Sequence, residues 1–85
     1  MSLKKFFNSE IHKKVIIFFR DNPSSIDTPR GVATWVGTSR EKAKKVLDEL
    51  QKEGILNAIE TSSTSGYSFT QDKKIIKKID EFTKK

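Results

Sequence analysis

Four basic side chains, Arg40, Lys42, Lys44 and Lys45, crowd a short stretch that holds one acid, Glu41, so residues 38–45 carry +3. A guanidinium can bond a guanine edge bidentately, and an ammonium beside a phosphate releases condensed counterions, so the cluster suits a nucleic-acid duplex. It can equally be the solvated face of a helix. Catalysis has little to draw on. The chain has no cysteine, and its one histidine, His12, stands beside Lys13 and Lys14 with no second histidine to share a metal. No glycine-rich phosphate loop is visible either. The expectation is a binding protein and not an enzyme, without cofactor or metal, and with His12 on the surface.

Positioning those bases requires a folded domain, and 85 residues suffice for one. Apolar residues (34%) fall in periodic clusters separated by turn residues, which marks a folded chain despite 33% charged residues. The net charge of +6 is laid out in blocks. Residues 1–20 hold five bases against Glu10, and residues 71–85 add a further +3. Residues 46–60 come to −3, with Asp48, Glu49, Glu53 and Glu60 against Lys52, and residues 21–37 come to −1. A polyanion responds to local potential, so this layout matters more than the total. The longest apolar run, Val15 to Phe19, is far short of the roughly 20 residues of a membrane span, and no membrane partner is expected. Absence of cysteine fits a reducing cytoplasm, the expected location. Met1, Ser2 and Leu3 are assigned no role.

The elements follow from period and punctuation. A first helix over about 9–21 starts at a cap, Asn8 or Ser9, runs through Ile11, Val15 and Phe18, and stops at Asp21-Asn22-Pro23. Its further apolar residues, Ile16, Ile17 and Phe19, exceed what one core face needs, which suggests a dimer seam. Ile26 is expected to anchor the following segment in the core. Thr28 and Pro29 start a second helix over about 29–36, closed by Gly37. Thr38 (in capping-box spacing with Glu41) or Ser39 then caps a third helix over about 39–53, whose Ala43, Val46, Leu47 and Leu50 share one face. Glu41 with Lys45 and Asp48 with Lys52 are spaced for intrahelical pairs. After Gly54, a hairpin over about 55–70 has a tip from Thr61 to Gly66 that lacks bases. A last helix over about 72–84, capped by Thr70 or Asp72, carries Ile75, Ile76, Ile79 and Phe82 opposite Lys73, Lys74, Lys77 and Lys78.

Helix, helix, tight glycine turn, helix, hairpin, helix: this order resembles the winged helix-turn-helix family of transcription regulators over most of the chain. The strongest stretch runs from Val32 to Leu56. It is similar to the family's pattern of an alanine in the second helix, a Gly turn, a Ser-initiated recognition helix and a Leu…Leu…Gly-Ile exit, here Ala33, Gly37, Ser39, Leu47, Leu50 and Gly54-Ile55. The resemblance implies a mostly α fold with a small β-hairpin: a three-helix core, a wing and a C-terminal helix. It also implies that the third helix enters the major groove of double-stranded DNA, with Thr38, Ser39, Arg40, Lys44 and Lys45 at the base edges and Lys42 flanking them. A homodimer through the first and last helices would set two such helices on one face of the duplex.

Two other functions remain open. A protein-interaction module on the same scaffold would use Trp35 or the apolar excess of the first helix, and the uncharged wing keeps that reading alive. A single-strand reader would expose Tyr67 and Phe69 for base stacking. Packing favours both aromatics in the core, and Trp35 at the core edge.

Overall fold

The computed structural model describes residues 3–60 and 65–83. Five helices and three short strands follow one another: α1 (Leu3–Phe7), α2 (Glu10–Asp21), β1 (Ile26–Asp27), α3 (Pro29–Val36), α4 (Arg40–Lys52), β2 (Leu56–Glu60), β3 (Ser65–Phe69) and α5 (Lys73–Thr83). The caps explain most boundaries. Ser9 Oγ accepts from the His12 backbone N–H at the start of α2, and Thr28 Oγ1 accepts from Gly31 N at 3.1 Å, with Pro29 in the first turn of α3. At α5, Asp72 Oδ1 accepts from Lys74 N at 2.9 Å.

The core is a single cluster. Val15, Ile16 and Phe19 of α2 meet Val32 and Ala33 of α3, Ala43, Val46, Leu47 and Leu50 of α4, Ile55 and Leu56, Tyr67 and Phe69 of β3, and Ile79 of α5. Tyr67 and Phe69 are thus core residues, as packing requires, and are not displayed for base stacking. Among the described residues no helix is long and apolar enough to cross a membrane.

Several expectations are corrected. Residues 3–7 form a helix whose Leu3 and Phe6 are buried, so Leu3 is part of the fold. The inward face of α2 centres on Val15, Ile16 and Phe19, while Ile11 and Phe18 are only partly buried against the cluster. Ile16 and Phe19 are therefore ordinary core residues, and α1, whose Leu3 and Phe6 join the same cluster, packs on α2. The sheet has three strands in the order β1-β3-β2, all antiparallel. Pairing of Ile26 with Ser68 puts Ile26 on the outer face, where it is 62% exposed and not anchored in the core. Ser65 and Gly66 belong to β3, opposite Glu60 and Ile59, so the turn is shorter than a tip from Thr61 to Gly66. The rest of that tip, residues 61–64, lies outside the described residues.

Candidate nucleic-acid interface

The joint between α3 and α4 is three residues long, and one glycine makes it possible. Gly37 has φ +83°, a left-handed backbone that side chains with a Cβ disfavour. In that conformation the N–H groups of Gly37 and Thr38 both donate to the Ala33 carbonyl at 3.0 Å, which closes α3 and turns the chain at once. Ser39, rather than Thr38, then caps α4: its Oγ accepts from Lys42 N at 3.2 Å. The result is a helix-turn-helix followed by a hairpin.

Burial of Ala43, Val46, Leu47 and Leu50 sets the rotation of α4 and sends its basic residues outward. Ser39, Arg40, Lys42, Lys44 and Lys45 are exposed, and Thr38 is half-buried in the turn. All six residues marked out in the sequence therefore gather at the N-terminal end of one exposed helix. They share its outer face with the acids Glu41, Asp48 and Glu49, which line a shallow, open depression together with Lys44, Lys45 and Lys52. Positive charge dominates the first turns and negative charge the last, so only the N-terminal half of α4 is suited to a polyanion.

The ion pairing differs from the expected Glu41–Lys45 and Asp48–Lys52. Lys44 Nζ donates instead to Asp48 Oδ2 at 2.9 Å, and the Tyr67 hydroxyl donates to Asp48 Oδ1 at 2.6 Å. Tyr67 reaches Asp48 from β3, so the carboxylate meets Lys44 through one oxygen and the wing strand through the other. The three groups shift one another. Partial burial pushes the Asp48 carboxyl up, but the hydrogen bonds from Tyr67 and Lys44 and the Lys44 charge outweigh it and hold the carboxyl below its ordinary value. Burial, then the hydrogen bond to Asp48 and its charge, push the Tyr67 hydroxyl up, while Lys44 offsets part of the effect. The hydrogen bond to Asp48 leads the causes that raise Lys44. The sequence places Asp48 on this outward stripe with Lys52, but its bond to Tyr67 spans 19 residues and no local spacing signals it.

His12 is also a correction. Its ring is not a free surface group: Nε2 lies 2.9 Å from Glu49 Oε1, Nδ1 lies 2.7 Å from Ser9 Oγ, and the ring stacks on Phe6. The start of α2 is thereby fastened to the C-terminal half of α4. Among the described residues no three His, Cys, Asp or Glu side chains come together in a way that would hold a metal ion. Trp35 sits at the core edge, 40% exposed, with its ring 4.4 Å from that of Phe18 and its Nε1 donating to Asp27 Oδ2 at 2.9 Å. Gly31 leaves room for the Asp27 carboxylate, since a Cβ there would collide with Asp27 Oδ1.

No family model and no curated protein sequence matches this chain. Solved structures do. HlyU from Vibrio cholerae superposes with a TM-score of 0.70 over 95% of this chain and 87% of its own, at 16% identity. Its reduced form gives 0.69 over 98% and 86%, at 15% identity. ZitR from Lactococcus lactis, as a point mutant, gives 0.66 over 87% of this chain and 49% of its own, at 16% identity. At such identities the likeness establishes the fold, and the fold is the winged helix-turn-helix.

Proposed function

We propose that this chain is a winged-helix transcription regulator that binds double-stranded DNA through the N-terminal half of α4. The observation that carries the reading is the exposed group Arg40, Lys42 and Lys45, with Lys44 beside them, projecting outward from a helix that the Gly37 turn and the Ser39 cap start and whose opposite face is buried in the core. Thr38 and Ser39 add hydroxyls at the same end. In this fold the helix after the turn lies in the major groove, where Arg40 can read a guanine edge and the lysines meet phosphates. The wing, residues 55–70, contains no lysine or arginine, so α4 supplies most of the charge that binds DNA. HlyU and ZitR share this winged-helix fold, and that likeness supports the reading. The chain acts as a binding module in the cytoplasm, not as a catalyst.

The regulator works as a homodimer joined through its N-terminal and C-terminal helices. Phe82 of α5 supports this seam: it is 47% exposed although its ring stacks on that of Phe7 at 5.1 Å. Sedimentation should give a dimer at tens of micromolar, and a monomer there would refute the seam.

A second reading, a protein-interaction module, draws on Trp35, Ile26 and Ile59, which remain exposed on α3 and on the outer face of the sheet. One experiment separates the two. The folded protein is titrated with random-sequence duplex DNA at two salt concentrations, beside a variant with Arg40, Lys44 and Lys45 all changed to alanine. Salt-dependent binding that the triple variant loses is the expected result. No binding at low salt, or binding unchanged in the variant, favours the protein partner.

A further inference from the structure

We propose that Asp48, pinned by Tyr67 from the wing strand, masks the Lys44 ammonium and so withholds one positive charge of the recognition helix from DNA phosphate. The inference rests on the DNA-binding reading above and concerns how strongly that surface holds duplex of any sequence. Tyr67 and Asp48 act as positioning residues for Lys44.

The geometry differs from that of an ordinary surface pair. An exposed Lys–Asp pair four residues apart opens readily, because holding two free side chains together costs entropy and water competes for both charges. Here one partner is not free. Asp48 offers one oxygen to Lys44 at 2.9 Å while its other oxygen accepts from the Tyr67 hydroxyl at 2.6 Å, and Tyr67 is itself 2% exposed in the central strand of the sheet. The carboxylate is therefore presented to Lys44 by the core. Helix stability does not account for the pair, since acid before base is the better order along a helix and base before acid the poorer one. Nor is masking general on this helix: among the described residues, ion pairs involve Lys44 but not Arg40, Lys42 or Lys45.

The test is the salt dependence of binding to random-sequence duplex, measured by fluorescence anisotropy, with thermal melts to establish that each variant is folded. Each phosphate neutralised by a lysine contributes about 0.9 to the log–log salt slope. Lys45→Ala should lower the slope by about that amount, whereas Lys44→Ala should barely change it. Asp48→Asn should raise the slope by about 0.9 and tighten binding about eightfold at about 0.1 M salt. Tyr67→Phe, which keeps both charges, should shift the slope in the same direction by less. The gain from Asp48→Asn should vanish when Lys44 is also alanine. If that gain persists without Lys44, Asp48 merely repels DNA and the proposal is overturned. It is overturned equally if Lys44→Ala costs as much slope as Lys45→Ala, or if Tyr67→Phe leaves the slope unmoved. Failure of the folded wild type to bind any duplex at low salt would overturn the DNA-binding reading and this proposal together, so the two failures can be told apart.

Discussion

Replacing Tyr67 with phenylalanine removes one oxygen atom and leaves the buried ring in place. That oxygen donates to Asp48 at 2.6 Å, a hydrogen bond to a charged acceptor. Such bonds contribute about 1.5–3 kcal/mol when the abandoned partner stays dry. The Asp48 side chain, however, keeps 50% of its surface in water and retains Lys44, so it is rehydrated once the hydroxyl is gone. The expected loss is therefore about 1–1.5 kcal/mol at neutral pH. With an unfolding entropy near 2.1 cal/mol/K per residue, a chain of this length should melt about 6–8 °C lower.

The pH dependence makes the test specific. Asp48 has its folded-state pKa depressed, so its contribution is complete above the unfolded carboxylate value of about 3.9 and disappears as pH falls through the folded value. Tyr67 has its folded-state pKa raised, so its contribution is complete below the unfolded value of about 10 and disappears as pH rises through the folded value. The difference in melting temperature between wild type and Tyr67→Phe should thus form a plateau across neutral pH and shrink on both the acid and the alkaline side. Circular dichroism melts over that range measure it. A constant difference, or none at neutral pH, would refute the coupling of Tyr67 to Asp48.

Other substitutions probe the remaining links. Leu47, fully buried at the centre of the inward face of α4, should cost about 2–5 kcal/mol when cut to alanine, read by urea or thermal unfolding. Phe6→Ala should cost about 3–5 kcal/mol in the same assay, and a variant as stable as wild type would mean that α1 is not part of the cooperative fold. On DNA, Arg40→Ala should narrow the preference between cognate and altered sites by about 1–3 kcal/mol, whereas Lys45→Ala should weaken all sequences alike. Identical behaviour of these two variants in competition titrations would show that Arg40 reads no base.

The helix-turn-helix was legible from the sequence because its determinants are local. Pro29 after Thr28, Gly37 before Ser39, and the spacing of Ala43, Val46, Leu47 and Leu50 each act within a turn or two, and each does the expected work. The position of the basic residues followed, since a buried stripe fixes the opposite one. What was not legible depends on partners far along the chain. Ile26 reads as a core residue until β3 pairs with β1 and turns it outward. Asp48 has lysines four residues away on both sides, Lys44 and Lys52, and the sequence does not show that it meets Lys44 and also Tyr67. His12 has only Glu10 close by in sequence, two residues away and so not on its face of the helix, and finds Glu49 across the fold. The short helix α1 was not legible either, because Leu3–Phe7 carries no cap or long period to announce a helix, and its packing with α2 had no signal in the sequence.

The central place of β3 in the sheet also orders events in time. The β2–β3 hairpin closes over four residues, but β1 can join only after a loop roughly ten times longer has closed, which by loop-closure entropy costs about 2 kcal/mol more. During synthesis α2, α3 and α4 can therefore pack against one another before the wing exists, while β1 waits without a partner. The β1–β3 ladder carries Asp27, to which Trp35 donates its hydrogen bond. The single tryptophan, whose ring also packs on Phe18 of α2, thus ties the helical core to the β1–β3 ladder.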